Sequence, residues 1–143
     1  MIKPFQYFIS ENLVKKSLPN TSMAKSLLQK AEIRLSRISK NEMNEEESSI
    51  IFEEVYECLR EASQALLELK GYKPYLHEAI LSFLKEEKYL SEATLNTLDN
   101  YRIIRNNSVY KAERVSISKC VEAIEFTKKV LPKIKIKFEE LIT

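Results

Sequence analysis

Between Leu98 and Tyr110 the sequence sets two guanidiniums on what should be an apolar helical stripe. At about 100° per residue, Arg105 lies about 20° from the direction of Leu98 and Arg102 about 40° from it on the other side, with Val109 near the same line. An arginine so placed is ion-paired, buries its stem with its head in solvent, or faces an interface where an anion meets it. Spacing alone favours the first two readings. The remaining chemical vocabulary is thin. A single histidine, His77, rules out a multi-histidine metal centre, and its common fate is a partly buried ring satisfied by a neighbour. The functional alternative is that His77 reaches the same cleft as the arginines. Tyr72, Tyr75 and Tyr101 suit either stacking on a nucleic-acid base or capping a core, the second being the commoner use. The carboxylates fall on polar helix faces without a paired, desolvated setting. Cys58 and Cys120 occupy apolar positions and lack metal or redox spacing, so they read as reduced core residues. No metal and no cofactor is expected.

The elements that must position these groups are helical. The chain has 143 residues with one Gly and four Pro, which removes the glycine-rich phosphate loops and makes a turn-rich sandwich or barrel improbable. Its 44% hydrophobic and 31% charged residues describe one ordinary globular domain over residues 1–143. The net charge of +2 gives no general attraction to nucleic acid or membrane. Its distribution is uneven: seven acidic residues and no basic one from Asn41 to Leu59, against ten basic and three acidic from Asn100 to Lys137. Solvated helix faces are the first reading of both runs, including the lysines at 128, 129, 133, 135 and 137. No apolar run reaches the roughly 18 residues of a membrane span, and the N-terminus lacks a signal-peptide pattern, so the expected location is the cytoplasm.

Five helical segments are expected after a short apolar piece with Phe5, Phe8, Ile9 and Leu13. The first follows the break and caps of Leu18 to Ser22, with Ala24, Leu27, Leu28, Ala31, Leu35 and Ile38 on one stripe to about Lys40. Asn44 with Glu47 reads as a capping box for a central helix, whose stripe of Ile51, Val55, Cys58, Ala62, Leu66 and Leu69 is widened by Phe52, Leu59 and Leu67. Lys70-Gly71 ends it. Tyr72-Lys73-Pro74 turns the chain into a helix over residues 75–88 carrying Leu76, Ile80, Phe83 and Leu84. Ser91 caps the next helix, where Asn106-Asn107-Ser108 predict a break or frayed turn. The last starts near Ser116 or Ser118, and Pro132 should kink or end it. Beyond it, residues 133–138 alternate like a strand but have no partner, so they read as helix with Leu131, Ile134, Phe138 and Leu141 inward and Ile136 left over.

The run Arg105-Asn106-Asn107-Ser108-Val109-Tyr110, with Leu98-Asp99 and Tyr101-Arg102 before it, resembles the signature of HEPN domains, which carry Arg-x-x-x-x-His near a helix end. Upstream, Tyr56 to Ala62 and Leu69 to Ala79 resemble the archaeal and bacterial HEPN subgroup, so the likeness covers roughly Phe8 to the end. It implies an all-α, antiparallel bundle of four to five main helices that dimerises about a two-fold axis, bringing two copies of the arginine motif together. In nuclease members the cleft between them cuts RNA without metal. By that resemblance Arg105, Asn106 and Tyr110 are the catalytic candidates, with Arg102, Tyr101 and His77 as binding candidates. The sequence departs from the nuclease pattern where Tyr110 replaces the histidine and where Ala112 replaces a tyrosine found in some members. Tyrosine in water titrates near pH 10 and histidine near 6.5, so most of a general base's hundred- to ten-thousand-fold effect is forfeited. Three functions stay open: the HEPN component of a toxin–antitoxin type system with a minimal nucleotidyltransferase as partner, a metal-independent endoribonuclease, and a non-catalytic RNA or nucleotide binding module.

Overall fold

Side-chain caps set half of the helix starts. The computed structural model describes residues 2–38 and 43–143. In chain order the elements are α1 (Phe5–Ser10), β1 (Val14–Lys16), α2 (Thr21–Ile38), α3 (Ser48–Glu68), β2 (Tyr72–Pro74), α4 (His77–Glu86), α5 (Glu92–Lys111) and α6 (Ile117–Ile142). Asn20 Oδ1 accepts the Met23 amide at 2.9 Å, Ser91 Oγ the Thr94 amide at 3.2 Å and Ser116 Oγ the Lys119 amide at 3.1 Å. Asn44 Oδ1 accepts the Glu47 amide at 2.9 Å, the forward half of the expected capping box. The expected end of α2 at Lys40, and Asn41 and Glu42 of the acidic run, lie outside the described residues.

Apolar residues on more than one stripe make α3 the central element, as its sequence predicts. Ile51, Val55, Cys58, Ala62 and Leu66 are buried together with Phe52, Leu59 and Leu67, and the helix packs against α2, α4, α5, α6 and β2. Cys58 and Cys120 are free and fully buried in this core, and burial pushes their thiols up to about 12 and about 11.

Three expectations need correction. The chain turns at 72–74 only after an antiparallel two-stranded ribbon with register Val14↔Pro74, Lys15↔Lys73 and Lys16↔Tyr72. Strands of three residues with a proline carry no readable alternation. The break at Asn106 to Ser108 is absent, and α5 continues to Lys111. The polar side chains there do not compete for the backbone, because Asn106 accepts from Arg105 and Ser108 Oγ donates to Glu53 of α3 at 2.8 Å. The helix ends instead at Ala112, in the left-handed region at φ 53°. Pro132 does not end α6 either. Its lost hydrogen bond and ring clash cost about 3 kcal/mol, whereas Val130, Leu131, Ile134 and Phe138, all buried on one seam across it, gain roughly 1.5–3 kcal/mol each. Ile136 stays exposed, as the sequence left it.

The acidic run is not merely solvated. Glu53 holds Ser108, Glu54 pairs with Arg34 at 2.6 Å, and Glu57 pairs with Arg60. The α6 lysines behave as expected of an exposed face, Lys128, Lys135 and Lys137 meeting Glu125, Glu32 and Glu140. Among the described residues, two carboxylates are fully enclosed. Glu61 is held by Arg34 at 2.9 Å and Lys30 at 3.4 Å, and Glu68 takes both its bonds from Lys73 Nζ of β2 at 3.0 and 3.1 Å. Lys73→Ala strands the Glu68 charge and is expected to cost about 3 kcal/mol of unfolding free energy, at the low end for a broken buried pair because the lysine is partly exposed. Urea titration checks this, and adding Glu68→Gln should recover much of the loss; full stability in Lys73→Ala alone would refute it.

Candidate anion-binding site

The ribbon and the central helix bring α4 and α5 together around an open groove of about 230 Å³. His77, Glu78, Arg102, Arg105, Asn106 and Tyr110 line it, with the exposed Tyr75 and Leu76. Local sequence explains each placement. β2 ends at Pro74, Leu76 keeps an extended backbone, and α4 therefore starts at His77 with no side chain capping it. The positive end of the α4 dipole lies beside the groove. On α5 the buried Leu98 continues the core stripe upward, and at Arg102 and Arg105 that stripe leaves the core and becomes groove wall.

The two arginines differ in their neighbours. Arg102 Nε donates to Asp99 at 2.9 Å and its terminal nitrogen meets Glu78 at 3.5 Å. Its charge is thereby matched, and the sequence's reading of a paired arginine holds for it. Arg105 donates to the Asn106 side-chain oxygen at 3.0 Å and lies 5.3 Å from the centre of the Tyr56 ring. Among the described residues it makes no ion pair. Arg60, the next guanidinium on α3, is held by Glu57 and Gln64. Burial works against the Glu57 charge, but the hydrogen bond and charge of Arg60, with Arg34 and Arg105 beyond, hold its carboxyl below the usual range.

His77 does reach the arginine groove. Its Nδ1 shares a hydrogen bond of 3.4 Å with the buried Tyr56 hydroxyl. Burial first, and then the charges of Arg105 and Arg60, push the imidazole down to about 4, so the ring is neutral at neutral pH. Burial likewise pushes Tyr56 up to about 12, so its phenol keeps its proton. Tyr110, at 77% exposed, stands open to solvent on the groove.

Tyr101 takes the core use that its sequence position favours, not the binding role that the resemblance implied. It is 1% exposed, packs edge-on against Phe52 and Phe126 and donates its hydroxyl to Glu122 at 2.7 Å, tying α5 to α6 rather than lining the groove. Tyr72 packs on Phe5 and Phe83 and is also a core residue, while Tyr75 lies on the groove. Sequence reasoning gave no role to Tyr56, Glu78 or Asp99. Asp99 was readable as an i,i+3 partner of Arg102, whereas nothing local announces that Tyr56 lies under Arg105.

Chemically, the groove offers one guanidinium without a carboxylate, a neutral imidazole, a side-chain amide and a phenol, which are groups that hydrogen-bond an oxyanion. Among the described residues, no cluster of three or more His, Cys, Asp or Glu could hold a metal, and no helix is long and apolar enough to cross a membrane. Compared with known proteins, the chain gives no significant match to a family model, a curated protein or a solved structure.

Proposed function

We propose that this protein is a HEPN-type module that binds a phosphate of RNA or of a nucleotide in the α4–α5 groove. The observation that carries the reading is Arg105, a guanidinium facing an open groove with no carboxylate among the described residues paired to it. Such a fork is built for phosphate oxygens, and Asn106, His77 and Tyr110 stand beside it as further polar contacts. In this reading the helices form an antiparallel bundle, two copies pair about a two-fold axis and the two grooves make one cleft. The setting is that of the HEPN component of a toxin–antitoxin type pair in the cytoplasm, with a minimal nucleotidyltransferase as partner. Both follow from the motif resemblance.

A second reading, metal-independent RNA cleavage, is favoured by one observation: the lone imidazole shares the groove with Arg105. There His77 takes the proton of a ribose 2′-hydroxyl, the 2′ oxygen forms its bond to phosphorus, the bond to the 5′ oxygen breaks, and that oxygen leaves with a proton drawn from water, to which His77 then returns its own. An imidazole pushed down to about 4 is a weak base, however, so binding without fast turnover stands first. The expected result in chelator is slow or no cleavage of a structured RNA by the parent, and faster release of 2′,3′-cyclic phosphate ends by Tyr110→His. Rapid cleavage by the parent, abolished in His77→Ala while RNA binding persists, would put the nuclease reading first.

A further inference from the structure

Two arginines line the groove, yet it carries little surplus charge. Arg102 is matched by Asp99 and Glu78, and Arg60 behind His77 is matched by Glu57. Arg105 remains as the groove guanidinium without an ion pair among the described residues, and it meets the single negative charge of a phosphodiester. A terminal phosphate monoester carries about −1.5 to −2 near pH 7, which leaves negative charge over. The groups positioned to answer it are few. Tyr56 and Tyr110 donate hydrogen bonds but gain no positive charge, and Asp99 and Glu78 bring only negative charge. His77 can become a cation.

Resting on the anion-site reading above, we propose that His77 is the specificity-determining residue of this groove: it takes up a proton as the ligand arrives, and so selects a phosphate monoester dianion over a phosphodiester. The geometry couples it to Arg105 through one support. The buried Tyr56 lies under the Arg105 guanidinium at 5.3 Å and 5.7 Å from the His77 ring centre, with its hydroxyl on Nδ1. Anion oxygens held by Arg105 therefore lie on the wall that His77 also forms.

The charges around the ring set the sign. From α3 it faces Tyr56, Glu57 and Arg60; from its own segment Tyr75 and Glu78; from α5 Arg102, Arg105 and Tyr110. Burial, Arg105, Arg60 and Arg102 drive its proton off, Glu57 opposes them, and the free ring titrates near about 4. A phosphate on Arg105 offsets the repulsion and adds attraction. At about 4 Å and an effective dielectric of about 20, each negative charge raises an imidazole's titration midpoint by about 3 pH units and two raise it by about 6. One charge brings His77 to the edge of protonation at neutral pH; two carry it well past. The midpoint is raised in the complex, so binding takes up a proton and tightens as pH falls from about 7.5 to about 6. Below about 6 the monoester itself gains a proton and the preference closes.

His77 is the chain's one histidine, so its imidazole C2 proton resonance is assigned by default. The test follows that resonance against pH in the full chain, free and with adenosine 5′-monophosphate, inorganic phosphate or dimethyl phosphate. The midpoint should move upward by at least about 2 pH units more with the nucleotide than with the diester. Equal movement with inorganic phosphate makes the dianion sufficient; movement with the nucleotide alone makes the nucleoside part of the ligand, and both outcomes support the proposal. In His77→Gln, checked for folding by circular dichroism, the preference for the nucleotide over dimethyl phosphate at pH 6.5 should fall about tenfold or more. If that variant fails to fold, the parent titration decides alone. Ligands that shift the Arg105 resonances while the His77 midpoint stays put, or moves equally with the diester, overturn the proposal and leave the anion site standing. No binding by any of the three overturns both.

Discussion

Arg105→Ala should weaken binding of a short single-stranded RNA by tenfold to more than a hundredfold while leaving the fold intact. The binding loss follows from what the guanidinium supplies, charge-assisted hydrogen bonds to phosphate worth about 1.5–3 kcal/mol. The modest effect on stability follows from what Arg105 lacks. Among the described residues it has no carboxylate to strand, its bond to Asn106 is to its own neighbour, and its contact with the Tyr56 ring is worth about 0.5–1 kcal/mol. Fluorescence anisotropy at several salt concentrations separates the cases, because losing one phosphate contact lowers the slope of log affinity against log salt by about one. Arg105→Lys should fall between parent and alanine, since an ammonium keeps the charge but not the planar fork. Unchanged RNA affinity in Arg105→Ala would mean that the groove is not where the phosphate sits. A large fall in thermal midpoint would mean that the arginine serves the fold.

Gly71→Ala, one residue before β2, should cost about 2–4 kcal/mol of a total near 5–15 kcal/mol and lower the thermal midpoint by about 10 °C. Two independent obstacles add. Gly71 sits at φ 82°, where a side chain is strained, and a Cβ there would lie 2.2 Å from the Ser17 carbonyl oxygen and 3.1 Å from the Pro19 nitrogen. Both neighbours are backbone, so relief requires moving the chain. That movement breaks the Ser17 amide bond to the Gly71 carbonyl and loosens the Asn20 amide bond to the Glu68 carbonyl at 3.1 Å. Gly71→Asn discriminates between the obstacles, because asparagine tolerates the left-handed region yet keeps the Cβ. A loss in Asn close to that in Ala assigns the damage to the close approach. The effect should reach the groove, because β2 leads from Gly71 into His77. Calorimetry that finds both variants as stable as the parent would refute the account.

The elements of this protein are legible in its sequence because caps and 3.6-residue periodicity are local. Asn20, Ser91 and Ser116 announce helix starts and are found accepting the amides their positions require, while Asn44 holds the turn that leads into α3. The surplus of apolar residues on α3 marks it as central, and the arginines on the Leu98 stripe mark the place where that stripe had to meet something polar. Where local rules failed, a distant residue had intervened. Ser108 does not break α5 because Glu53, on another helix, takes its hydroxyl. Pro132 does not end α6 because buried residues on both sides of it share one seam. Tyr101 leaves the expected groove because Glu122 and two phenylalanines enclose it. The difference between Arg102 and Arg105 is half local, since Asp99 lies one turn before Arg102, and half tertiary, since Glu78 comes from α4. The meeting of Tyr56, His77 and Arg105 is wholly tertiary. Their residues lie on three helices, and a charge or ring contact across such separations depends on how the helices pack, which no spacing along one chain segment encodes.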